Sequence, residues 1–107
     1  MKEQNLEITE KENEGVYRLV VKGRIDANSS DSLLFKLEEA VRNGQKTIIL
    51  NMSQVEFLSS IGIRVILNIY KQAAEAGGKF NIESPSAIVK NVLGMIALEE
   101  LLVKKDS

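Results

Sequence analysis

Two adjacent serines, Ser59 and Ser60, are the side chains of this sequence best placed to do chemistry. They follow the apolar, β-branched run Thr47–Asn51 and precede a segment whose apolar residues recur at helical spacing. A serine at the start of a helix can act as the N-cap, because its hydroxyl accepts a hydrogen bond from a free backbone N–H group. The same N–H groups and the helix dipole stabilise a phosphate, which would add roughly −1.5 to −2 charges at Ser60. Position alone leaves both roles open, and the two are compatible.

The residue types that are missing exclude several kinds of catalytic site. The sequence contains no histidine and no cysteine, which excludes Ser-His and Cys-His catalysis within one chain and zinc sites built on those residues. The segment Gly77–Phe80 does not match a phosphate-binding loop, because the leading glycine is missing and Phe80 replaces Ser or Thr. A small α/β domain could also be phosphorylated on an aspartate at the end of its central strand. Here that predicted strand ends in Asn51, whose amide cannot form an acyl phosphate. We therefore predict that the protein is not an enzyme and uses no metal or cofactor.

Length and charge limit the possible partners. At 107 residues the chain is expected to form one domain over residues 1–107. A net charge of −1 provides no basic field for direct contact with nucleic acid. There is no apolar run of about 18 residues, so we expect no membrane span. The first residues lack the apolar core of a signal peptide, and the expected location is therefore the cytoplasm.

The spacing of apolar residues predicts alternating strands and helices. The predicted strands are Leu6–Ile8, Val16–Lys22, Thr47–Asn51 and Lys79–Glu83, with a weak edge strand at Leu101–Lys104. The predicted helices run from the cap candidates Asn28–Asp31 to about Arg42, over Ile61–Ala76, and from Ser84-Pro85 past Ile96. This order predicts an α/β fold: a single domain with a mixed, mostly parallel sheet of four to five strands, helices packed on it and the first strand antiparallel.

The topology predicts where the two serines lie. In open α/β sheets, ligands and partners meet the loops beyond the carboxyl ends of the parallel strands. Two such loops are Gly23–Asn28 and Met52–Ser60. Because both follow strands of one parallel set, we expect Asp26 to lie near Ser60. Asp26 has an alternative role as a cap at the start of the first helix.

The helix after the serines carries a candidate partner surface. At about 100° per residue, one face collects Ile63, Ile66, Leu67, Tyr70, Ala73 and Ala74, which we predict to face the core. Ile61 and Val65 point the other way, beside Arg64, and form an apolar patch next to the serines. The alternative is that these two are scattered surface apolar residues, which are common.

Two motifs resemble those of the STAS domain family, the anti-sigma factor antagonists. The segment Asn51–Phe57 is similar to the family pattern D-L-S-x-V-x-F, and Leu58–Val65 to the loop [LIM]-[DS]-S-[SA]-G-[LI]. The upstream signature G-x-[IL]-D-A is matched by Gly23–Ala27. This chain departs from the patterns in having Asn51 instead of Asp at the strand end and Ile61 instead of Ser or Ala after the acceptor serine.

The resemblance implies a regulatory switch. In the family, the unphosphorylated protein binds an anti-sigma factor that is also a serine kinase, which frees a sigma factor. The kinase uses ATP to phosphorylate the family serine and the complex dissociates, and a serine phosphatase resets the cycle. By motif position the phosphoacceptor is Ser60, with Ser59 as the rival, and Asp26 is the family aspartate. The implied partner-binding residues are Asp26, Ser59, Ser60, Ile61, Arg64 and Val65.

A second function is also consistent with the resemblance. Some STAS domains are never phosphorylated and act as scaffolds or as transporter-associated subunits. Phosphorylation of the serine by a cognate kinase separates the two functions.

Overall fold

The structure is a computed structural model that describes residues 6–95, and within them four strands form one mixed sheet. The strands are β1 (Leu6–Asn13), β2 (Val16–Ile25), β3 (Thr47–Leu58) and β4 (Lys79–Glu83), and the helices are α1 (Ser30–Arg42), α2 (Ser60–Glu75) and α3 (Ala87–Met95). The sheet order is β1-β2-β3-β4, with β1 antiparallel to β2 and the other neighbours parallel. The predicted fold class and the antiparallel first strand are confirmed. Ile96 and the predicted strand Leu101–Lys104 lie outside the described residues.

One face of the sheet carries the core. Alternate residues of the three parallel strands are almost completely buried: Leu19, Val21, Ile48, Leu50, Phe80 and Ile82. Such alternation is expected of strands that bury one face only. The helices α1 and α2 contact each other, α2 contacts β4, and α3 contacts β3. The buried apolar residues of these elements form a single hydrophobic core.

The strands β2 and β3 are longer than the sequence predicted. The predicted loop residues Met52 and Val55 are buried members of β3 that face the core. Ser53 and Gln54 between them are both exposed, which breaks the period of two that identifies a strand. The pairing of β2 with β3 shifts register between Val20 and Lys22, and this irregularity lets both strands continue.

The face of α2 that contacts the core differs from the predicted one. Leu67 and Tyr70 are 40% and 41% exposed, so their assignment to the core is wrong. The buried stripe instead includes Val65, 5% exposed, and Ile69, which is fully buried. Apolar residues surround this helix on most sides, so periodicity alone does not fix which stripe packs on the sheet.

A glycine near the start of α2 lies in close contact with the ends of β2 and β3. A Cβ atom at Gly62 would lie 2.7 Å from Cγ2 of Ile25 and 2.8 Å from Cδ1 of Leu58. Because real Cβ contacts are longer than this, any larger residue at this position would force Ile25, Leu58 or the first turn of α2 to move. Gly62 therefore permits the close approach of the helix that carries the serines to the sheet.

Candidate functional site

Ser59 is the N-cap of α2. Its backbone is extended, with φ −84° and ψ 170°, and its side-chain oxygen accepts a hydrogen bond of 3.1 Å from the N–H of Gly62. Its own carbonyl oxygen accepts from the N–H of Ile63 at 3.0 Å. This geometry is that of a standard serine cap, in which the hydroxyl satisfies one of the free N–H groups of the first turn.

Ser60 is the first residue of the helix, and its side chain is exposed. Among residues 6–95 its hydroxyl has no hydrogen-bond partner. A hydroxyl that holds no structural bond can be modified without breaking one, whereas modification of Ser59 would remove the cap. The structure therefore assigns the capping role, which the sequence left open to either serine, to Ser59.

The loop between β2 and α1 is built around Asp26. Its Oδ1 atom accepts hydrogen bonds from the N–H of Asn28 at 3.0 Å and from the N–H of Ser29 at 3.1 Å. Its backbone carbonyl accepts from the N–H groups of Ser29 and Ser30 at 3.2 and 2.9 Å. The predicted alternative, in which Asp26 caps the first helix, is therefore wrong: the N-cap of α1 is Ser29, and the side chain of Asp26 closes the loop before it.

Asp26 is held in its ionised form. Desolvation works to raise the pKa of the Asp26 carboxyl, but the hydrogen bonds from Ser29 and Asn28 and the charge of Arg24 outweigh it. The pKa of Asp26 therefore lies below its ordinary value, and a negative charge is fixed at this edge of the sheet at neutral pH.

The strand register brings the two loops together. Ile25 and Leu58 are partners at the ends of β2 and β3. The residue after Leu58 is Ser59, and its N–H donates a hydrogen bond of 2.9 Å to the carbonyl oxygen of Ile25. Asp26 follows Ile25 directly, so the aspartate and the serine pair lie at one edge of the sheet, as the topology predicted.

Two residues that the sequence analysis did not select support this edge. The guanidinium carbon of Arg24 lies 4.3 Å from the ring centroid of Phe57, a cation–π contact across the two strands. The Nε atom of Arg24 is 3.9 Å from Oδ2 of Asp26. The hydroxyl of Ser29 donates to the carbonyl oxygen of Arg24 at 2.6 Å and so holds the loop closed. The strand register, which pairs Arg24 with Phe57, is the signal that could have indicated the contact between these two residues.

A shallow apolar groove begins next to the serines. It has a volume of about 480 Å³, lies between α1 and α2, and is here called the α1–α2 groove. Its lining includes Leu34 of α1 and Ile61, Arg64, Val65 and Leu67 of α2. The predicted patch on the far side of the helix is therefore partly wrong. Ile61 is 43% exposed as expected, but Val65 lies at the inner side of the groove with only 5% of its surface exposed. Val65 is turned inward because it belongs to the buried stripe of α2.

The described part of the chain contains no group of three or more acidic, histidine or cysteine residues that could hold a metal ion. Over residues 6–95 no helix is long and apolar enough to span a membrane. What the site offers is an exposed hydroxyl, a fixed carboxylate and an apolar groove beside them. This combination suits the recognition of another protein more than the binding of a small molecule.

The chain matches a known domain family along almost its whole length. The sequence model of the STAS domain family matches residues 7–106. The chain is also similar to the anti-sigma F factor antagonist of Paenibacillus polymyxa, with 28% identity over 99 residues that cover 92% of this chain and 85% of the relative.

Solved structures share the fold. The unphosphorylated form of the anti-sigma factor antagonist SpoIIAA has a TM-score of 0.80 at 18% identity, and the similarity covers 94% of this chain and 90% of that one. The phosphorylated form of SpoIIAA, described as a Bacillus cell fate determinant, has a TM-score of 0.75 at 17% identity, with coverage of 94% and 93%.

Proposed function

This chain belongs to the STAS domain family, and on that premise we propose that it is an anti-sigma factor antagonist that a phosphate on Ser60 switches off. The observation that carries the proposal is the exposed hydroxyl of Ser60, free of hydrogen bonds to the described residues, next to a Ser59 hydroxyl that is committed to the cap. The relative from Paenibacillus polymyxa is named as an antagonist of this kind, and SpoIIAA exists in both phosphorylated and unphosphorylated forms.

The proposed partner is an anti-sigma factor that is also a serine kinase. The unphosphorylated chain binds it through the edge formed by Asp26, Ser59 and Ser60 and through the adjoining Ile61, and so releases a sigma factor. The kinase then transfers the γ-phosphoryl group of ATP to the oxygen of Ser60. The Ser60 hydroxyl loses its proton, and ADP is the leaving group. A serine phosphatase hydrolyses the phosphate ester and restores binding. Sigma factors and ATP both place this cycle in the cytoplasm.

The charge of the phosphate supplies the switch. A phosphate carries roughly −1.5 to −2 charges at neutral pH, and it would sit at the same edge as the ionised Asp26. Like charges at one site disfavour each other, and a partner surface that covers Ile61 would have to desolvate them. Burial of such an uncompensated charge costs several kcal/mol, a loss of affinity on the order of 10²–10⁴-fold.

The phosphate does not require α2 to unfold. It would be attached at the first residue of the helix, where the helix dipole favours a negative charge. The Ser59 cap, which bonds Gly62, remains intact. The switch therefore works by a change in surface charge on an unchanged fold.

The experiment that tests the proposal maps the phosphate. The purified chain is incubated with the host's anti-sigma factor kinases and ATP, and intact and fragment masses are measured. We expect one phosphate on Ser60, lost in Ser60→Ala and kept in Ser59→Ala. A phosphate on Ser59 would correct the acceptor and keep the function. If no such kinase adds a phosphate, the chain acts as a non-phosphorylated scaffold or a transporter-associated subunit and the proposal is wrong.

A further inference from the structure

Apolar side chains that line the α1–α2 groove are partly exposed to solvent. Ile61 and Leu67 are 43% and 40% exposed, and both line it together with Leu34 and the nearly buried Val65. Single exposed apolar residues are common, but several that line one concave surface indicate a docking site. The groove also starts at Ile61, the residue after Ser60, so it is continuous with the edge that carries the proposed switch.

Two positive charges lie along the same groove. Arg64 and Lys71 both line it, together with the acidic Asp31 of α1, and neither cation forms an ion pair with any residue between 6 and 95. Lys71 follows Arg64 by seven residues, which is two turns of helix and a rise of about 10 Å. The two cations therefore project from the same side of α2 at a spacing that matches carboxylates seven residues apart on another helix.

We infer that the α1–α2 groove binds an amphipathic helix of the partner protein that carries carboxylates seven residues apart along one side of its apolar stripe. Two packed helices leave a groove that accepts the ridge of a third, and the apolar lining supplies the contact area. Arg64 and Lys71 outnumber Asp31 in the lining, so the groove keeps a net positive charge that selects acidic over basic helices. The inference rests on the proposed function only in naming the anti-sigma factor as the source of that helix.

The test uses two synthetic helical peptides of about 14 residues with the same leucine stripe. One carries glutamates seven residues apart beside the stripe, and the other carries lysines at the same positions. Each is titrated into the isotope-labelled full chain, and amide chemical shifts are followed by NMR. We expect the acidic peptide to shift the amides of residues 61–71 and to bind about tenfold more tightly than the basic one, as two weak surface ion pairs allow.

Charge reversal identifies the residues responsible. In the double variant Arg64→Glu with Lys71→Glu, the preference should reverse in favour of the basic peptide. The matched control is Lys22→Glu with Lys90→Glu, which changes the net charge equally at two exposed lysines away from the groove. This control should keep the preference for the acidic peptide. Leu67→Asp should weaken the binding of both peptides, because it places a charge on the apolar lining of the groove.

Three results would overturn the inference. Equal binding of the two peptides, an unchanged preference in the Arg64→Glu and Lys71→Glu double variant, or shifts centred outside residues 61–71 would each do so. Line broadening that grows with protein concentration and disappears in Leu67→Asp would show instead that a second copy of the chain covers the groove. Neither peptide needs a kinase, so groove binding without phosphorylation of Ser60 would contradict the proposed function alone. Phosphorylation without groove binding would contradict this inference alone.

Discussion

The N–H of Ser59 donates a hydrogen bond of 2.9 Å to the carbonyl oxygen of Ile25, and this bond joins the start of α2 to the end of β2. It determines that the serine pair and the loop of Asp26 share one edge of the sheet. It also leaves the two serine hydroxyls in different states, since Ser59 caps the helix and Ser60 is exposed. The capping role of Ser59 and the proposed regulatory role of Ser60 thus concern neighbouring residues.

Loss of the cap should destabilise the fold without abolishing phosphorylation. Ser59→Ala removes the hydroxyl that accepts from the N–H of Gly62, and we expect the free energy of unfolding to fall by about 1 kcal/mol. Ser60→Ala is the matched control, since it removes an exposed hydroxyl and should change stability by less than about 0.5 kcal/mol. Urea denaturation measures both variants. Equal losses would contradict the separate roles of the two serines.

Gly62→Ala tests the close approach of α2 to the sheet. The new methyl group would meet Cγ2 of Ile25 at 2.7 Å and Cδ1 of Leu58 at 2.8 Å. The leucine side chain can turn aside, but the β-branched isoleucine is stiff, so the helix itself must shift. We expect a loss of about 1–3 kcal/mol in thermal or chemical denaturation. A variant as stable as the parent chain would show that Gly62 does not set the packing of α2.

The loop of Asp26 should depend on its acceptor oxygen. Asp26→Ala removes the atom that accepts from the N–H groups of Asn28 and Ser29, and should lower the free energy of unfolding by about 1 kcal/mol. Asp26→Asn keeps an acceptor oxygen in the same position and is expected to retain most of that stability. If the two variants lose equal stability, the charge of Asp26 and not its acceptor oxygen would hold the loop.

The open face of the sheet carries a carboxylate that should make stability depend on pH. Arg18 donates to Glu83 from Nε at 2.8 Å and from Nη2 at 3.2 Å, and the amide of Asn51 donates at 2.8 Å. Burial works to raise the pKa of Glu83, but these bonds outweigh it and hold the pKa below the ordinary 4.5. A carboxyl with a lowered folded pKa contributes stability that is complete above its unfolded pKa and is lost as the pH falls through the folded value.

Glu83→Gln should therefore be less stable than the parent chain at pH 7 and should lose less on acidification. Denaturation in urea between about pH 3 and pH 7 measures both effects. The control is Glu56→Gln, because Glu56 is exposed and has no ion pair within residues 6–95. Parallel pH curves for Glu83→Gln and the parent chain would show that the bonds to Arg18 and Asn51 do not contribute.

The fold could be predicted from the sequence to a greater extent than the site. Apolar runs such as Thr47–Asn51 and the alternation of strands with helices were enough to predict the mixed sheet and its antiparallel first strand. The extension of β3 was not predictable, because the adjacent exposed residues Ser53 and Gln54 interrupt its pattern and the register shift that accommodates them depends on β2. The inward position of Val65 depends likewise on packing against the sheet, which periodicity does not specify.

The sequence predicted which residues of the site lie close together, but it did not predict the hydrogen bonds that they form. Parallel topology alone places Asp26 and the serine pair at one edge. Sequence could not distinguish a capping Ser59 from a capping Ser60, since both residue types and both positions are suitable. The backbone of Ser59, with ψ 170°, decides the matter, because an N-cap is extended while the next residue is helical.

The most direct test of the central claim compares the affinity of the anti-sigma factor for the chain before and after phosphorylation of Ser60. Titration calorimetry with the purified proteins should give a dissociation constant that rises on the order of 10²–10⁴-fold on phosphorylation. Ser60→Ala, treated with the same kinase and ATP, should keep the affinity of the unphosphorylated chain. Equal affinities of the phosphorylated and unphosphorylated chains would contradict the switch.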